Sequence, residues 1–471
     1  MEKIKAYING NFIDNGSWLD IENPSTLSIA GQVTALTPTD IDLAFESAKK
    51  AQINWAKTPI LKRINVLKRF RDLLLKNKEF IADLLAAEVA KSYKDGLTEV
   101  ERTVELIDYT FEEAKRLFPL AQTGEEMGFE NKLGVFYRIP KGVGLAISPF
   151  NYPINLAVAK IIPALVSGNG LVFKPATQGS LVGAYMGVLM HETELPKGLF
   201  NVVTGRGREI GDYLTAHKSI DFISFTGSVA VGKKLQKNAS TSDLILELGG
   251  KDPAIVLDDL DLENYANHIV SGAFNYSGQR CTAIKRVITT NKIADKLIPL
   301  LKDKVSKLSV GIPMESPIIT PIIDLKSTEF VQSLIDDAKN LGATIVCGDK
   351  REKNLMQPTL IDNVTTKMKL AWEEPFGPVL PVIRIDDLKE QIKIANESEF
   401  GLQAAVFGQN LSETLRVAKQ LEAGTVNINN KTQRGPDSFP FLGIKNSGVG
   451  VQGIRESLLS MTRYQGIIIN Y

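Results

Sequence analysis

Cys281 lies in the run SGQRCTAIKR, residues 277–286, with Arg280 beside it and Lys285 four residues on. A cysteine attacks carbon as its thiolate, and fixed cations nearby favour that form. Such a nucleophile needs a base and a group to hold developing negative charge. Glu247, in LELGGK, follows an apolar run and precedes two glycines; a carboxylate at a dry strand end suits general-base work, and its structural alternative is an ion pair with Lys251. The three histidines, His191, His217 and His268, lie in no catalytic-looking motif. Asn151, in SPFNYP, occupies a strand-to-helix turn, where its amide either donates to an oxyanion or satisfies its own turn.

A second group of residues suits an anion. Phe225-Thr226-Gly227-Ser228 ends a strand and opens a helix, with Gly232 five residues beyond Gly227. Glycine permits close backbone approach, and the free N–H groups and dipole of a helix start favour a pyrophosphate. The run is not GxGxxG, so the ordinary dinucleotide fingerprint is absent. Lys174 ends another strand, where its ammonium can meet ribose or phosphate oxygens or simply face solvent.

Composition narrows the class. The 471 residues predict two or three domains with a sizeable core. Fifty-five Lys plus Arg against 54 Asp plus Glu leave a net charge of +1, which points away from general nucleic-acid or membrane-surface binding. Two cysteines, Cys281 and Cys347, supply neither a disulfide framework nor metal-ligand spacing, so no metal is expected and the compartment is expected to be reducing and cytoplasmic. The N-terminus reads as strand, Asn9-Gly10 turn, strand rather than as a signal peptide. The longest uncharged run, residues 142–159, contains Pro149 and Pro153 and reads as buried structure, not a membrane span.

The elements that must position these residues follow from periodicity. Helices are expected over about residues 40–57, 60–91 and 99–117, the second burying Leu61, Ile64, Leu67, Phe70 and Leu74 on one face. Arg102 falls on the third. A strand over residues 129–140 precedes alternating β and α elements, which predict a parallel sheet covered on both faces. Ligands in such sheets sit at the carboxyl ends of the strands, and PFNYP, FKPAT, FTGS and ELGGK all lie there. A second alternating region runs from about 253 to 426. The chain ends with a polar loop, a helix near 454–460 and an Ile-rich strand, 465–471, whose exposed edge calls for a covering partner.

The ordered set SPFNYP, FKPAT, FTGS, ELGGK, GQRC and EEPFGPV resembles the aldehyde dehydrogenase superfamily over nearly the whole chain. SPFNYPINLA, KPATQGS, TGRGREIGDY, GAFNYSGQRCTAIKRV, LAWEEPFGPVLP and INNKTQRGPDSFPFLG are similar to the non-phosphorylating glyceraldehyde-3-phosphate dehydrogenases within it. The resemblance implies an α/β fold of three parts: a Rossmann-like cofactor domain (residues 1–125 and 142–247), an α/β catalytic domain (248–445) and a small β oligomerisation element (126–141 and 446–471), usually in a homotetramer.

It further implies that Cys281 is the nucleophile, that Glu247 activates the hydrolytic water, and that Asn151 with the Cys281 N–H forms the oxyanion hole. Glu374 would hold the nicotinamide ribose and Phe376 would bound the nicotinamide ring. Lys174, Gly227 and Ser228 would serve the adenosine end and pyrophosphate. Thr177 stands where many NAD-preferring members carry glutamate, which implies NADP, with NAD as a poorer cofactor. Arg102, Tyr152, Arg280 and Arg434 would hold the substrate phosphate. One departure is Phe150, where many members have tryptophan. The implied reaction is oxidation of glyceraldehyde 3-phosphate to 3-phosphoglycerate through a thioester resolved by water. Two alternatives stay open: another acid-forming aldehyde dehydrogenase for an anionic aldehyde such as a semialdehyde, and a non-catalytic protein keeping the fold.

Overall fold

The computed structural model describes residues 2–239 and 242–471. Its largest sheet has eight strands, in the order Gly448–Val449, Asp243–Glu247, Phe222–Thr226, Val143–Ile147, Gly170–Lys174, Phe200–Val202, Ala6–Ile8 and Asn11–Ile13. The inner strands, from Asp243–Glu247 to Phe200–Val202, all run parallel. Runs such as FISFT and GLVFK are buried at every position, as a sheet covered on both faces requires. The predicted Asn9-Gly10 turn is present: both residues have positive φ, and Ala6–Ile8 pairs antiparallel with Asn11–Ile13.

A seven-stranded sheet forms the second body, in the order Thr344–Cys347, Thr359–Asp362, Val379–Arg384, Arg286–Thr289, Pro253–Val256, Gln403–Phe407 and Thr425–Ile428. Only the edge strand Thr344–Cys347 runs antiparallel to its neighbour. A third sheet joins Leu120–Thr123, Lys132–Pro140 and Thr462–Asn470. The last of these pairs with Lys132–Pro140 along its whole length, and every residue after Thr462 is exposed.

Several expected boundaries move. The single helix over 60–91 is two, Ile60–Lys76 and Lys78–Val89. The break is at Asn77, whose side-chain Nδ2 donates to the Leu73 carbonyl and whose Oδ1 accepts from the Tyr185 hydroxyl, so the side chain competes with the helical ladder. The next helix, Tyr93–Ala114, starts earlier than expected because the Ser92 hydroxyl caps it by accepting from the Asp95 N–H. Leu120–Thr123, assigned by sequence to the first domain, pairs with Lys132–Pro140 instead. Gly448–Val449, assigned to the oligomerisation element, closes the edge of the eight-stranded sheet beside Leu246 and Glu247.

Candidate active site

Cys281 is positioned by backbone. After the helix Leu262–Phe274 the chain turns through Tyr276, Ser277 and Gly278, all with positive φ (52°, 54° and 69°). Such a run is held only where its surroundings over-determine it. The Ser277 hydroxyl donates to the Thr320 carbonyl and accepts from the Thr320 N–H, each at 2.8 Å. The Gln279 side chain accepts from the Ile323 N–H. A Cβ on Gly278 would meet the Gly377 carbonyl oxygen at 2.3 Å, so this turn and the EEPFGPV segment pack with no room for a side chain.

Asn151 reaches the same loop. Buried at the end of Val143–Ile147, it donates one Nδ2 hydrogen to the Gln279 carbonyl at 2.9 Å. The other Nδ2 hydrogen and the Cys281 N–H have no acceptor among the described residues, which leaves two free donors for an oxyanion. Asn151 also accepts from the Tyr152 N–H, so bonding within its own turn still leaves that Nδ2 hydrogen free among the described residues.

Glu247, at the end of Asp243–Glu247, does not pair with Lys251. Its partner is Arg434, whose Nη1 lies 3.2 Å from Oε1 and 3.0 Å from Oε2. The same Nη1 donates to Gln452 Oε1 at 3.0 Å. Thr226 donates its hydroxyl to Glu247 Oε2 and accepts from Lys160 Nζ at 2.7 Å. Burial pulls the Lys160 ammonium down to about 7, with the charge of Glu247 opposing. Sequence reading overlooked Lys160, and placed Thr226 at a strand end without linking it to Glu247. Lys160 is a lone cation in the apolar run NLAVAKIIPALV of a fully buried helix, Asn155–Val166, and that was the available signal.

Cys281 keeps some exposure toward the cavity, yet its thiol is pushed up to about 12, first by desolvation and then by the negative charge of Glu247. The help that the neighbouring cations were expected to give the thiolate is outweighed in this state. Arg280 turns its Nη2 to the Gly272 carbonyl. Lys285 opposes the rise but is spent on the Cys281 carbonyl and, at 3.2 Å, on Glu374.

One cavity of about 110 Å³ is lined by Cys281, Glu247, Arg102, Tyr152, Arg280 and Arg434, together with Lys431. The four residues expected to hold a phosphate therefore share one cavity with Cys281. Arg102, from the helix Tyr93–Ala114, grips both oxygens of Asp437 and donates to the Arg434 carbonyl. Nε of Arg280 is buried without an acceptor. Burial and the charge of Arg280 lower the pKa of Lys431, another cavity residue that sequence reading overlooked.

The residues expected to serve a cofactor lie along the strand ends. Glu374 accepts from the Gly250 N–H at 3.0 Å, and a Cβ on Gly249 would meet its carboxylate at 2.2 Å. Phe376, with φ of 50°, stands edge-on to Phe150 at 5.8 Å, so the aromatic retained at 150 still packs on this wall. Ser228 caps the helix Val229–Asn238, and a Cβ on Gly227 would strike the Phe225 ring at 2.5 Å. Lys174 is buried, donates among the described residues only to the Pro175 carbonyl, and is pulled down to about 8 by desolvation. Thr177 lines a separate cavity of about 600 Å³ together with Arg206, Arg208, Asp20, Glu22 and Asp324. Thr177, Arg206 and Arg208 together give a donor set that fits a phosphate-bearing nucleotide.

Residues 12–467 match the aldehyde dehydrogenase family model. An NADP-dependent glyceraldehyde-3-phosphate dehydrogenase of Streptococcus equinus is 47% identical over 100% of this chain and 99% of its own. A 3-sulfolactaldehyde dehydrogenase of Priestia aryabhattai is 36% identical, covering 98% of this chain and 97% of its own. The NADP complex of an NADP-dependent glyceraldehyde-3-phosphate dehydrogenase from Bacillus halodurans superposes with a TM-score of 0.98 at 49% identity, over 100% of both chains.

Proposed function

The chain belongs to the aldehyde dehydrogenase family, and we propose that within it the chain oxidises glyceraldehyde 3-phosphate to 3-phosphoglycerate with NADP, taking up no inorganic phosphate. The observation that carries this reading is the ring of Arg102, Tyr152, Arg280 and Arg434 on the cavity that holds Cys281. Guanidinium forks and a phenol suit a dianion approached from several sides. The kinship to the streptococcal and bacillar enzymes supports the same substrate and cofactor.

In this mechanism the Cys281 thiol gives its proton to solvent, the thiolate sulfur adds to the aldehyde carbon, and Asn151 Nδ2 with the Cys281 N–H holds the oxyanion formed as the C=O π bond opens. NADP, when bound, accepts the hydride and sets a cationic ring near the nucleophile. Lys174, Thr177, Gly227 and Ser228 would hold its adenosine and pyrophosphate end, and Glu374 and Phe376 its nicotinamide end. Loss of hydride leaves a thioester on Cys281. Glu247 then takes a proton from water, hydroxide adds to the thioester carbon, and the Cys281 thiolate leaves as the acid is released.

The wider arrangement belongs to the same proposal: a cofactor domain on the eight-stranded sheet, a catalytic domain on the seven-stranded sheet, and the third sheet as the contact between subunits of a homotetramer. Exposed Phe118, Met127, Phe129, Ile467, Ile468 and Ile469 on or near that third sheet support the last. Two unpaired cysteines suit the cytoplasm, and no helix among the described residues is long and apolar enough to cross a membrane.

The test is an aldehyde panel in phosphate-free buffer with each nicotinamide cofactor. Glyceraldehyde 3-phosphate with NADP should give the highest kcat/KM. A sulfolactaldehyde or succinate semialdehyde used equally well would assign the arginines to a different anion.

A further inference from the structure

Arg434 is asked to do two things at once. It belongs to the ring proposed to hold the substrate phosphate, yet here it grips the base. Nη1 has two hydrogens and three oxygens within reach, Glu247 Oε1 and Oε2 and Gln452 Oε1. No arrangement satisfies all three with straight bonds, so the grip on Glu247 is one that a stronger acceptor can displace. Nη2 has no acceptor among the described residues, and Nε lies 3.7 Å from Asp437. The backbone beneath is held independently, since Arg102 bonds both the Arg434 carbonyl and the Asp437 carboxylate. The loop's hold thus does not depend on the grip on Glu247, and the guanidinium itself rests over the Phe441 ring at 5.0 Å.

Glu247 is affected unequally at its two oxygens. Oε2 also accepts from Thr226, whereas the only partner of Oε1 among the described residues is Arg434. While Arg434 stays, Oε2 has both lone pairs taken, by Arg434 and Thr226, and water can reach only the second lone pair of Oε1, beside the guanidinium. Once it leaves, Thr226 still orients the carboxylate and Oε1 is open.

We propose that the substrate phosphate and Glu247 compete for the Arg434 guanidinium, so that filling the phosphate site releases the base that hydrolyses the thioester. This deepens the substrate reading above and rests on it. Arg434 is then a positioning residue for Glu247 as well as a phosphate ligand. Binding at the far end of the substrate is converted into rate at the reacting carbon. Unphosphorylated glyceraldehyde reaches the thioester but waits there.

The experiment supplies the phosphate as a separate piece. The thioester formed from glyceraldehyde by NADP-loaded enzyme is followed by acid quench and intact mass, with inorganic phosphite added at constant ionic strength. Saturating phosphite should speed thioester decay by roughly tenfold or more, the scale of one charge-assisted hydrogen bond exchanged. Arg434→Ala should decay faster than wild type without phosphite and ignore its addition, whereas a merely structural arginine would leave a slower enzyme. Unchanged decay of the wild-type thioester with phosphite, or slower decay in Arg434→Ala, overturns the proposal. The wild-type measurement decides the matter even if the variant fails to fold. If phosphite fails while glyceraldehyde 3-phosphate remains preferred over glyceraldehyde, only the competition is lost; if that preference is absent, the substrate reading falls with it.

Discussion

The two ends of the cleft hold their charges differently. At the substrate end every arginine is already engaged: Arg102 on Asp437, Arg434 on Glu247, Arg280 on the Gly272 carbonyl. At the cofactor end Lys174 donates to a single neighbouring carbonyl, and Thr177 faces an open cavity beside two arginines. An anion entering the cofactor end meets two arginines held only loosely by Glu209, whereas one entering the substrate end must share Arg102 and Arg434 with buried carboxylates, though Arg280 Nε has no acceptor among the described residues. Ion pairs broken in a buried site are costly unless replaced, so only a ligand with enough charge to take over from the carboxylates occupies the substrate end well. This makes the engaged arginines a discriminating site and the cofactor end a permissive one.

The largest effect that would sharpen this contrast comes from the base. Glu247→Gln leaves Arg434 without its carboxylate and removes the proton acceptor. Steady-state turnover should fall by about 10²- to 10⁴-fold, the range of general-base catalysis, while the first burst of NADPH in a rapid-mixing experiment persists. Normal turnover in this variant would remove Glu247 from its role. Cys281→Ser should abolish the burst as well.

The nucleophile provides the next test. With the Cys281 pKa raised to about 12, the cofactor-free enzyme holds a neutral thiol at neutral pH. The thiolate fraction, and with it the rate of iodoacetamide alkylation, should then climb about tenfold per pH unit between about pH 7 and pH 9. A plateau in that range would mean that Lys285 or Arg280 governs the thiol after all.

How much of this was legible beforehand depends on the range of the interaction. Strand ends at Lys174, Thr226 and Glu247 were readable because a buried parallel strand is a short apolar run closed by a polar or glycine-rich turn, a local pattern. The hairpin at Asn9-Gly10 was local in the same way. The split at Asn77 was not, since its hydrogen bond to Tyr185 spans 108 residues. Neither were the pairs that define the substrate end: Arg434 meets Glu247 across 187 residues and Arg102 meets Asp437 across 335. Residue types near Cys281 suggested an activated thiol, but sequence proximity of a cation says nothing about which acceptor the cation has taken.

The substrate arginines come third. Arg280→Ala removes the guanidinium whose buried Nε lacks an acceptor, and hydrogen bonds to charged groups contribute about 1.5 to 3 kcal/mol. The ratio of kcat/KM for glyceraldehyde 3-phosphate over glyceraldehyde should drop by roughly ten- to a hundredfold. An unchanged ratio would make Arg280 a packing residue of the nucleophile loop.

The smallest effect tests the permissive end. Thr177 is half-buried on the wall of the cavity that Arg206 and Arg208 also line. A carboxylate placed there would repel a 2'-phosphate directly, while the nearby arginines, partly exposed and leaning toward Glu209 at 3.6 to 3.7 Å, would screen part of that repulsion. Thr177→Glu should therefore lower the NADP over NAD ratio of kcat/KM by about tenfold, one charged contact's worth after screening, and leave the glyceraldehyde 3-phosphate over glyceraldehyde ratio unchanged. Comparable efficiencies of the two cofactors in the wild type would remove the preference altogether. A variant in which both ratios shift together would mean that the two ends of the cleft are coupled.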